Sequence, residues 1–250
     1  MNKFFIALAV IFVSILVFGY IYNLNIPYSI GDIDMALIEV CEDEDTIFLP
    51  VKWGEFNANE EMLSIEFFEN NTKVAEGKPK IIAFNRKFGF SSGELKLTIK
   101  LTSISREKLN VNKIHIIYIN KTVEYKVNNF TIINRKIKFS DILQDYVYPD
   151  ILLGKENDSA IVFRASSESK DYTVNDLGVI GRYVSDNILP STVAIDNKLS
   201  IPITLQKHDR KFQLLKAIVE TNKGYLSCYN YIPIGTEYKY VKGKTVRRVK

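Results

Sequence analysis

The chain begins with one long apolar run, after which apolar and polar residues alternate in short segments. Residues 4–22 carry no charge, and only Ser14 and Gly19 fall outside the apolar and tyrosine set. As a helix, this run spans about 28 Å, which matches the hydrocarbon core of a bilayer. The pattern predicts that residues 4–22 cross a membrane and that residues 1–31 form an anchor or signal segment.

The charges that flank the run predict its orientation. Lys3 precedes the run, and the first charged residue after it is Asp32. Because positive charge favours the cytoplasmic side, we expect a cytoplasmic amino terminus and an ectodomain outside the cell. The alternative is a signal peptide cleaved near Gly19, which would release a secreted protein.

Beyond the anchor the pattern predicts strands. Residues 62–67 and 94–102 alternate with period two, as half-buried strands do. Residues 114–139 predict a meander with turns at Asn120-Lys121, Asn128-Asn129 and Asn134-Arg135, because asparagine tolerates positive φ. Residues 212–232 predict a hairpin around Thr221-Asn222-Lys223-Gly224, although a short helix over 211–220 is an alternative. We therefore expect a mainly β fold, an antiparallel β-sandwich.

A break in this pattern predicts a boundary inside the ectodomain. Ser140 can cap a short helical turn, and the stretch that follows holds Pro149, Gly154 and several acidic residues. The division gives residues 32–140 as one sandwich subdomain and 141–250 as a second β-rich subdomain with a basic tail. A single large sandwich is the alternative.

Charge is distributed unevenly along the ectodomain, although the whole chain has a net charge of only +4. That total is too small to indicate nucleic acid as a partner. Residues 32–69 hold 12 acidic residues and one basic residue, whereas residues 70–140 hold 15 basic and four acidic residues. Either acidic strands lie beside basic strands and neutralise them, or the surface is bipolar and docks other envelope components.

The chain offers little catalytic or metal chemistry. Gly89-Phe90-Ser91-Ser92-Gly93 matches the pattern of a nucleophile elbow, but a strand pattern follows it, so we interpret it as a loop. Two histidines and two separated cysteines provide no zinc spacing, and we expect no cofactor. Calcium is the alternative to this expectation, because clustered carboxylates supply the oxygen ligands that it takes. The candidate ligands are Asp32, Asp34, Glu42, Asp43, Glu44 and Asp45.

Three other groups of residues are candidates for a modification or a binding site. Export to an oxidising compartment predicts a disulfide between Cys41 and Cys228, the two cysteines of the chain. Sequons for glycosylation begin at four asparagines, Asn70, Asn120, Asn129 and Asn157. The carboxyl-terminal residues form either a solvated tail or a site for anionic lipids and polymers. Its basic residues are Lys242, Lys244, Arg247, Arg248 and Lys250.

Together these patterns predict a cell-envelope protein that is not an enzyme. One helix would anchor it, and a β-rich ectodomain would have a structural role or bind proteins or glycans. One alternative is an exported or anchored hydrolase acting on cell-wall or glycan polymer, because acidic residues are plentiful. Another is an accessory subunit of a surface filament or motor that assembles through the amino-terminal helix.

Overall fold

The structure is a computed structural model that describes twelve stretches of the chain. They are residues 2–25, 29–31, 35–54, 60–87, 90–143, 147–152, 160–165, 172–179, 193–195, 198–202, 212–229 and 240–248.

One helix, α1, runs from Asn2 to Asn25 and contains the apolar run. Its side chains are described over residues 3–19, and the large apolar ones are exposed along that length. Among the residues so described, no helix combines the length and the apolar character that crossing a membrane needs. The predicted anchor is therefore not confirmed and stays a prediction.

The remaining described elements are strands and one turn of 3-10 helix at Phe139–Asp141. The mainly β character predicted from the sequence is confirmed. The strands are β1 (Ser29–Gly31), β2 (Met35–Val40), β3 (Asp45–Trp53), β4 (Met62–Glu69), β5 (Thr72–Lys87), β6 (Phe90–Leu101), β7 (Lys108–Tyr118), β8 (Lys121–Asn134), β9 (Val147–Leu152), β10 (Ala160–Ala165), β11 (Tyr172–Asp176), β12 (Val193–Ile195), β13 (Lys198–Pro202), β14 (Phe212–Thr221), β15 (Gly224–Tyr229), β16 (Tyr240–Lys242) and β17 (Lys244–Arg248).

Fourteen strands form one mixed sheet, and β9, β10 and β13 form a second. The main path through the large sheet is β12-β11-β14-β2-β8-β7-β4-β5-β6-β3-β1-β16. The prediction of a purely antiparallel fold was wrong, because β2 is parallel to both of its neighbours, β8 and β14. Hairpin signals in the sequence report only strands that follow each other directly, whereas β2 pairs with strands from much later in the chain.

The carboxyl-terminal segment completes a ring of strand pairings. β16 pairs with β1, and β17 pairs with β8 after the chain passes Gly243. The pairings thus run from β8 through β7, β4, β5, β6, β3 and β1 to β16, and β17 returns to β8. Residues 240–248 are therefore two short strands, and the prediction of a solvated tail was wrong for them. Two such pairings leave fewer backbone groups at free edges of the sheet.

The predicted meander is simpler than expected, because β8 continues through Asn128 and Asn129. Opposite Asn112 of β7, β8 has three residues, 127–129, so two extra residues bulge out of the ladder. Asparagine tolerates a bulge as well as it tolerates a turn. After Asn134 the chain leaves the sheet, and residues 135–138 are not a strand.

Two other local predictions have clear outcomes. The hairpin around Asn222 and Lys223 is confirmed as β14 and β15, and the alternative helix over 211–220 is excluded by the strand β14. The pattern at Ser91, Ser92 and Gly93 lies inside β6, so it is neither a loop nor a nucleophile elbow.

Strands from both predicted subdomains share the large sheet. β2, from the first half, lies between β8 and β14, and β14 belongs to the second half. The core formed by β1–β8 and β14 is strongly apolar, and its largest buried rings belong to Trp53, Tyr125, Phe67 and Phe130. The position of the boundary near residue 140 stays a prediction, and strand pairing crosses it.

Candidate functional site

At the carboxyl end of β2, charged groups gather around the buried Glu39. The Glu39 side chain is only 1% exposed. Its Oε2 accepts a hydrogen bond from the Ile218 backbone N–H at 2.8 Å, and its Oε1 accepts one from the Val179 N–H at 3.1 Å. One carboxylate therefore links β2 to β14 and to the segment that follows β11.

Arg135 completes this cluster from the end of β8. Its Nη1 donates to Glu39 Oε1 at 3.2 Å, and its Nη2 donates to Asp176 Oδ2 at 2.9 Å. Asp176 in turn accepts a hydrogen bond from the Gly178 N–H, and Gly178 has a φ of +57°. A side chain at that glycine would also collide with Glu39, because an added Cβ would lie 2.6 Å from Oε2.

The Glu39 carboxyl group is energetically costly to bury in its charged form. Burial raises the pKa of Glu39 above its usual 4.5, although hydrogen bonds from Ile218 and Val179 and the charge of Arg135 act in the opposite direction. The pKa of Arg135 is raised because its ion pairs with Asp176 and Glu39 outweigh the effect of burial. The cluster is thus an ion pair held inside the fold.

A second buried pair lies nearby, between β3 and β14. Lys216 Nζ forms an ion pair with Asp45 Oδ1, and the two side chains are 0% and 1% exposed. Asp45 also accepts the Cys41 N–H on Oδ2 at 2.8 Å and the Thr46 N–H on Oδ1 at 2.7 Å. The Asp45 carboxylate, at the start of β3, therefore contacts both Lys216 of β14 and Cys41, the residue that follows β2.

Cys41 lies against this pair as a free, buried thiol. Burial first, and then the charge of Asp45, raise the pKa of the Cys41 thiol to about 12. The predicted disulfide with Cys228 is not formed. Cys228 lies on β15, and β14 separates β15 from β2, which ends next to Cys41. Two strand spacings are about 10 Å, which exceeds the reach of a disulfide.

The candidate calcium ligands do not share one environment. Asp45 is buried on Lys216, Asp43 and Glu44 are exposed, and Glu42 is half-buried. Within the described stretches, no group of three or more metal-ligating side chains is brought together. Asp32 and Asp34 lie outside the described residues.

The predicted sequons fall in different parts of the sheet. Asn70 occupies the β4–β5 turn with a φ of +56°, and its Oδ1 accepts a hydrogen bond from Asn112 Nδ2 at 3.1 Å. Asn120 is exposed in the β7–β8 turn. Asn129 belongs to the bulge of β8, its side chain is not described, and Asn157 lies outside the described residues. Among the residues that the structure describes, Asn70 and Asn120 are therefore the sequon asparagines that lie in exposed turns.

Ion pairs join the acidic segment 32–69 to the basic segment 70–140. Besides Glu39 and Arg135, they include Glu60 with Lys121 at 2.6 Å, Glu66 with Lys73 at 3.3 Å, and Glu69 with Arg106. Within the described residues, these pairs show neutralisation between acidic and basic segments that the fold brings together. The exposed ones contribute little to stability.

Comparison with known proteins does not place the chain in a family. No protein-family model, no curated protein and no solved structure matches it. Its function must therefore be inferred from its own residues.

Of the charged residues in these two pairs, sequence reasoning had selected only Asp45 as a candidate site residue, together with the neighbouring Cys41. Glu39 and Lys216 each interrupt a strongly apolar strand, in Ala36-Leu37-Ile38-Glu39-Val40 and in Leu214-Leu215-Lys216-Ala217-Ile218. One charged residue within an otherwise apolar strand, acidic in β2 and basic in β14, was the signal in the sequence that could have indicated buried charges. Such ion pairs connect strands through their side chains and hold them in place relative to one another.

Proposed function

We propose that the chain is a single-pass, membrane-anchored protein of the cell envelope, with its β-rich region outside the cytoplasm in a structural or interaction role. The observation that carries the proposal is α1. Its apolar side chains project away from any described core, with Phe4 70% exposed and Phe18 75% exposed. Apolar surface in water costs roughly 25 cal/mol per Å², so a lipid phase is the favourable environment for this helix.

Membrane attachment also gives the basic carboxyl-terminal strands a role. Only three residues lie between the end of α1 at Asn25 and the start of β1 at Ser29, so β1 begins within about 14 Å of the helix end. β16 pairs with β1, and the exposed Lys244 begins the next strand. The basic residues of 242–250 would therefore lie near the membrane surface, where anionic headgroups attract them. Anionic lipid of the same membrane is the partner we propose for them.

Topology is tested by site-specific labelling with a membrane-impermeant maleimide. Asn71→Cys places a thiol in the exposed β4–β5 turn, and Asn2→Cys is the matched control on the opposite side, both with Cys228→Ser. We expect intact spheroplasts to label at position 71 and to label at position 2 only after permeabilisation. The reverse pattern would overturn the orientation, and recovery of the protein in the medium would support the secreted alternative.

Lipid binding is tested without deleting residues 242–250, because β17 belongs to the sheet. The variant Lys244→Gln, Arg247→Gln and Arg248→Gln keeps the β17 backbone and removes three charges. The control variant Lys78→Gln, Lys96→Gln and Lys100→Gln removes three exposed charges elsewhere. We expect only the first variant to bind anionic vesicles several-fold more weakly at low salt, with the difference shrinking as salt is added. Equal binding by both variants would contradict this part of the proposal.

A further inference from the structure

The buried pair of Lys216 and Asp45 places an amine and a carboxyl group in contact inside the core. Lys216 lies in the middle of β14, where it is flanked by Ile38 of β2 and Tyr229 of β15. Asp45 begins β3, opposite Ile99 of β6. β3 and β14 are not neighbours in the strand order, so the pair connects strands that share no backbone ladder.

The surroundings hold the carboxyl group of Asp45 in place. Its two oxygens accept the N–H groups of Cys41 and Thr46 at 2.8 and 2.7 Å. Lysine has a flexible four-carbon stem, so its amine can reach the carboxyl carbon while the carboxylate stays fixed. The nearest thiol, Cys41, keeps its proton because burial raises its pKa to about 12. The amine is therefore the available nucleophile.

Proton transfer within the pair is the step that makes both groups reactive. The charges of a buried ion pair are costly to desolvate, and proton transfer from ammonium to carboxylate leaves an uncharged amine beside an uncharged acid. These are the reactive forms for making an amide. Two reactants fixed in contact gain effective molarities of about 10⁵ M or more over free ones.

We propose that Lys216 and Asp45 condense into an intramolecular amide cross-link between β14 and β3. After proton transfer to Oδ1, the amine attacks the carboxyl carbon Cγ and the Nζ–Cγ bond forms. The Cγ–Oδ1 bond then breaks, and Oδ1 leaves as water with two of the three ammonium protons. The third proton stays on the amide nitrogen, so atoms and charge balance and no oxidant is needed.

The backbone supplies the stabilisation that this step requires. Negative charge develops on the carboxyl oxygens during attack, and the Cys41 N–H already donates to Oδ2. A donor fixed at that position acts as one half of an oxyanion hole. In the product, Oδ2 is the amide carbonyl oxygen and keeps the same hydrogen bond.

The consequence would be a covalent tie between the beginning and the end of the β-rich region. The predicted Cys41–Cys228 disulfide would have joined the same two parts of the chain, and Cys41 lies next to the amide proposed here. Unlike a disulfide, an amide resists reducing agents. It would hold the protein together under conditions that reduce thiols.

Mass spectrometry of the full-length protein tests the proposal directly. We expect the denatured, reduced protein to be lighter than its sequence by one water. Cleavage with trypsin and a glutamate-specific protease should yield residues 45–52 joined to residues 212–220, with no cleavage after Lys216. Lys216→Arg is the matched control, because it keeps the positive charge, whereas a guanidinium does not lose its proton to become a nucleophile. That variant should have the mass of its sequence.

Three results would overturn the cross-link. One is recovery of only the separate peptides, with the Lys216 amine labelled by an amine-reactive reagent after denaturation. Another is a mass deficit of one water that persists in Lys216→Arg, because the water would then come from elsewhere. A third is linkage of Lys216 to a residue other than Asp45. Identification of the joined peptides in the unsubstituted protein decides between these results even if the variant does not fold.

Discussion

Replacing Glu39 with alanine tests how far the buried cluster holds the sheet together. The substitution leaves the backbone N–H groups of Val179 and Ile218 without the acceptor that they have at 3.1 and 2.8 Å. A buried donor that loses its acceptor costs about 1–3 kcal/mol. Arg135 also loses one partner, but it is half-buried and keeps Asp176, so that loss is small. Relief of the desolvated carboxylate offsets part of the total.

We expect Glu39→Ala to lower the free energy of unfolding by about 3 kcal/mol, in the range found when one partner of a buried pair is removed. Urea unfolding of the full chain in mild detergent measures it, because Trp53 is the only tryptophan and is buried. Glu76→Ala is the control, since Glu76 makes an exposed pair with Lys73 and its loss should cost less than about 1 kcal/mol. A Glu39→Ala effect as small as that of the control would refute the reasoning.

Three further outcomes follow from other contacts. Because the pKa of Glu39 in the folded protein is raised above 4.5, protonation of Glu39 stabilises the fold below pH 4.5, and this stabilisation is lost as the pH rises through the folded pKa. The difference in unfolding midpoint between wild type and Glu39→Gln should therefore change with pH over this range. A difference that stays constant with pH would contradict the prediction. Gly243→Ala should destabilise the folded protein by about 1–3 kcal/mol, because its Cβ would lie 2.6 Å from the buried Tyr125 ring. Gly77→Ala is the control in the same urea assay, and it should cost less because the added Cβ meets its nearest atom at 3.1 Å. The Cys41 thiol should resist iodoacetamide at pH 8 until the protein is unfolded; labelling of the folded protein at the rate of an exposed cysteine would exclude the buried site.

The alternating pattern was sufficient to locate the main strands and the last hairpin, but not their partners. In β8 the buried apolar residues alternate at Val123, Tyr125 and Val127 and then at Phe130 and Ile132, and the neighbouring Ile133 is buried as well. The change from odd to even positions shows a bulge, since a strand that simply continued would have kept its phase. The Asn128-Asn129 pair alone was compatible with either a bulge or a turn, so the turn was predicted incorrectly.

The candidate site was harder to predict, because burial of a charge depends on contacts distant in sequence. In β2, the period of two assigns Glu39 to the face opposite Ile38 and predicts that it meets solvent. The segment at Val179 covers that face, and the sequence around Glu39 contains no signal for this distant contact. Lys216 is covered likewise, by β3, which lies far from it in sequence. Pairing between remote segments is set by the whole fold and not by local propensity.

The return of β17 to β8 has a consequence for the order in which the protein is made. Ribosomal synthesis delivers β1 and β8 first, whereas residues 240–248, which pair with both, are synthesised much later. Until they emerge, β1 lacks its β16 partner and residues 121–124 of β8 lack their β17 partner, so these edges can pair with other chains. The β-rich region therefore cannot finish folding before residues 240–248 have been synthesised, and a chain interrupted before them keeps an open, aggregation-prone sheet.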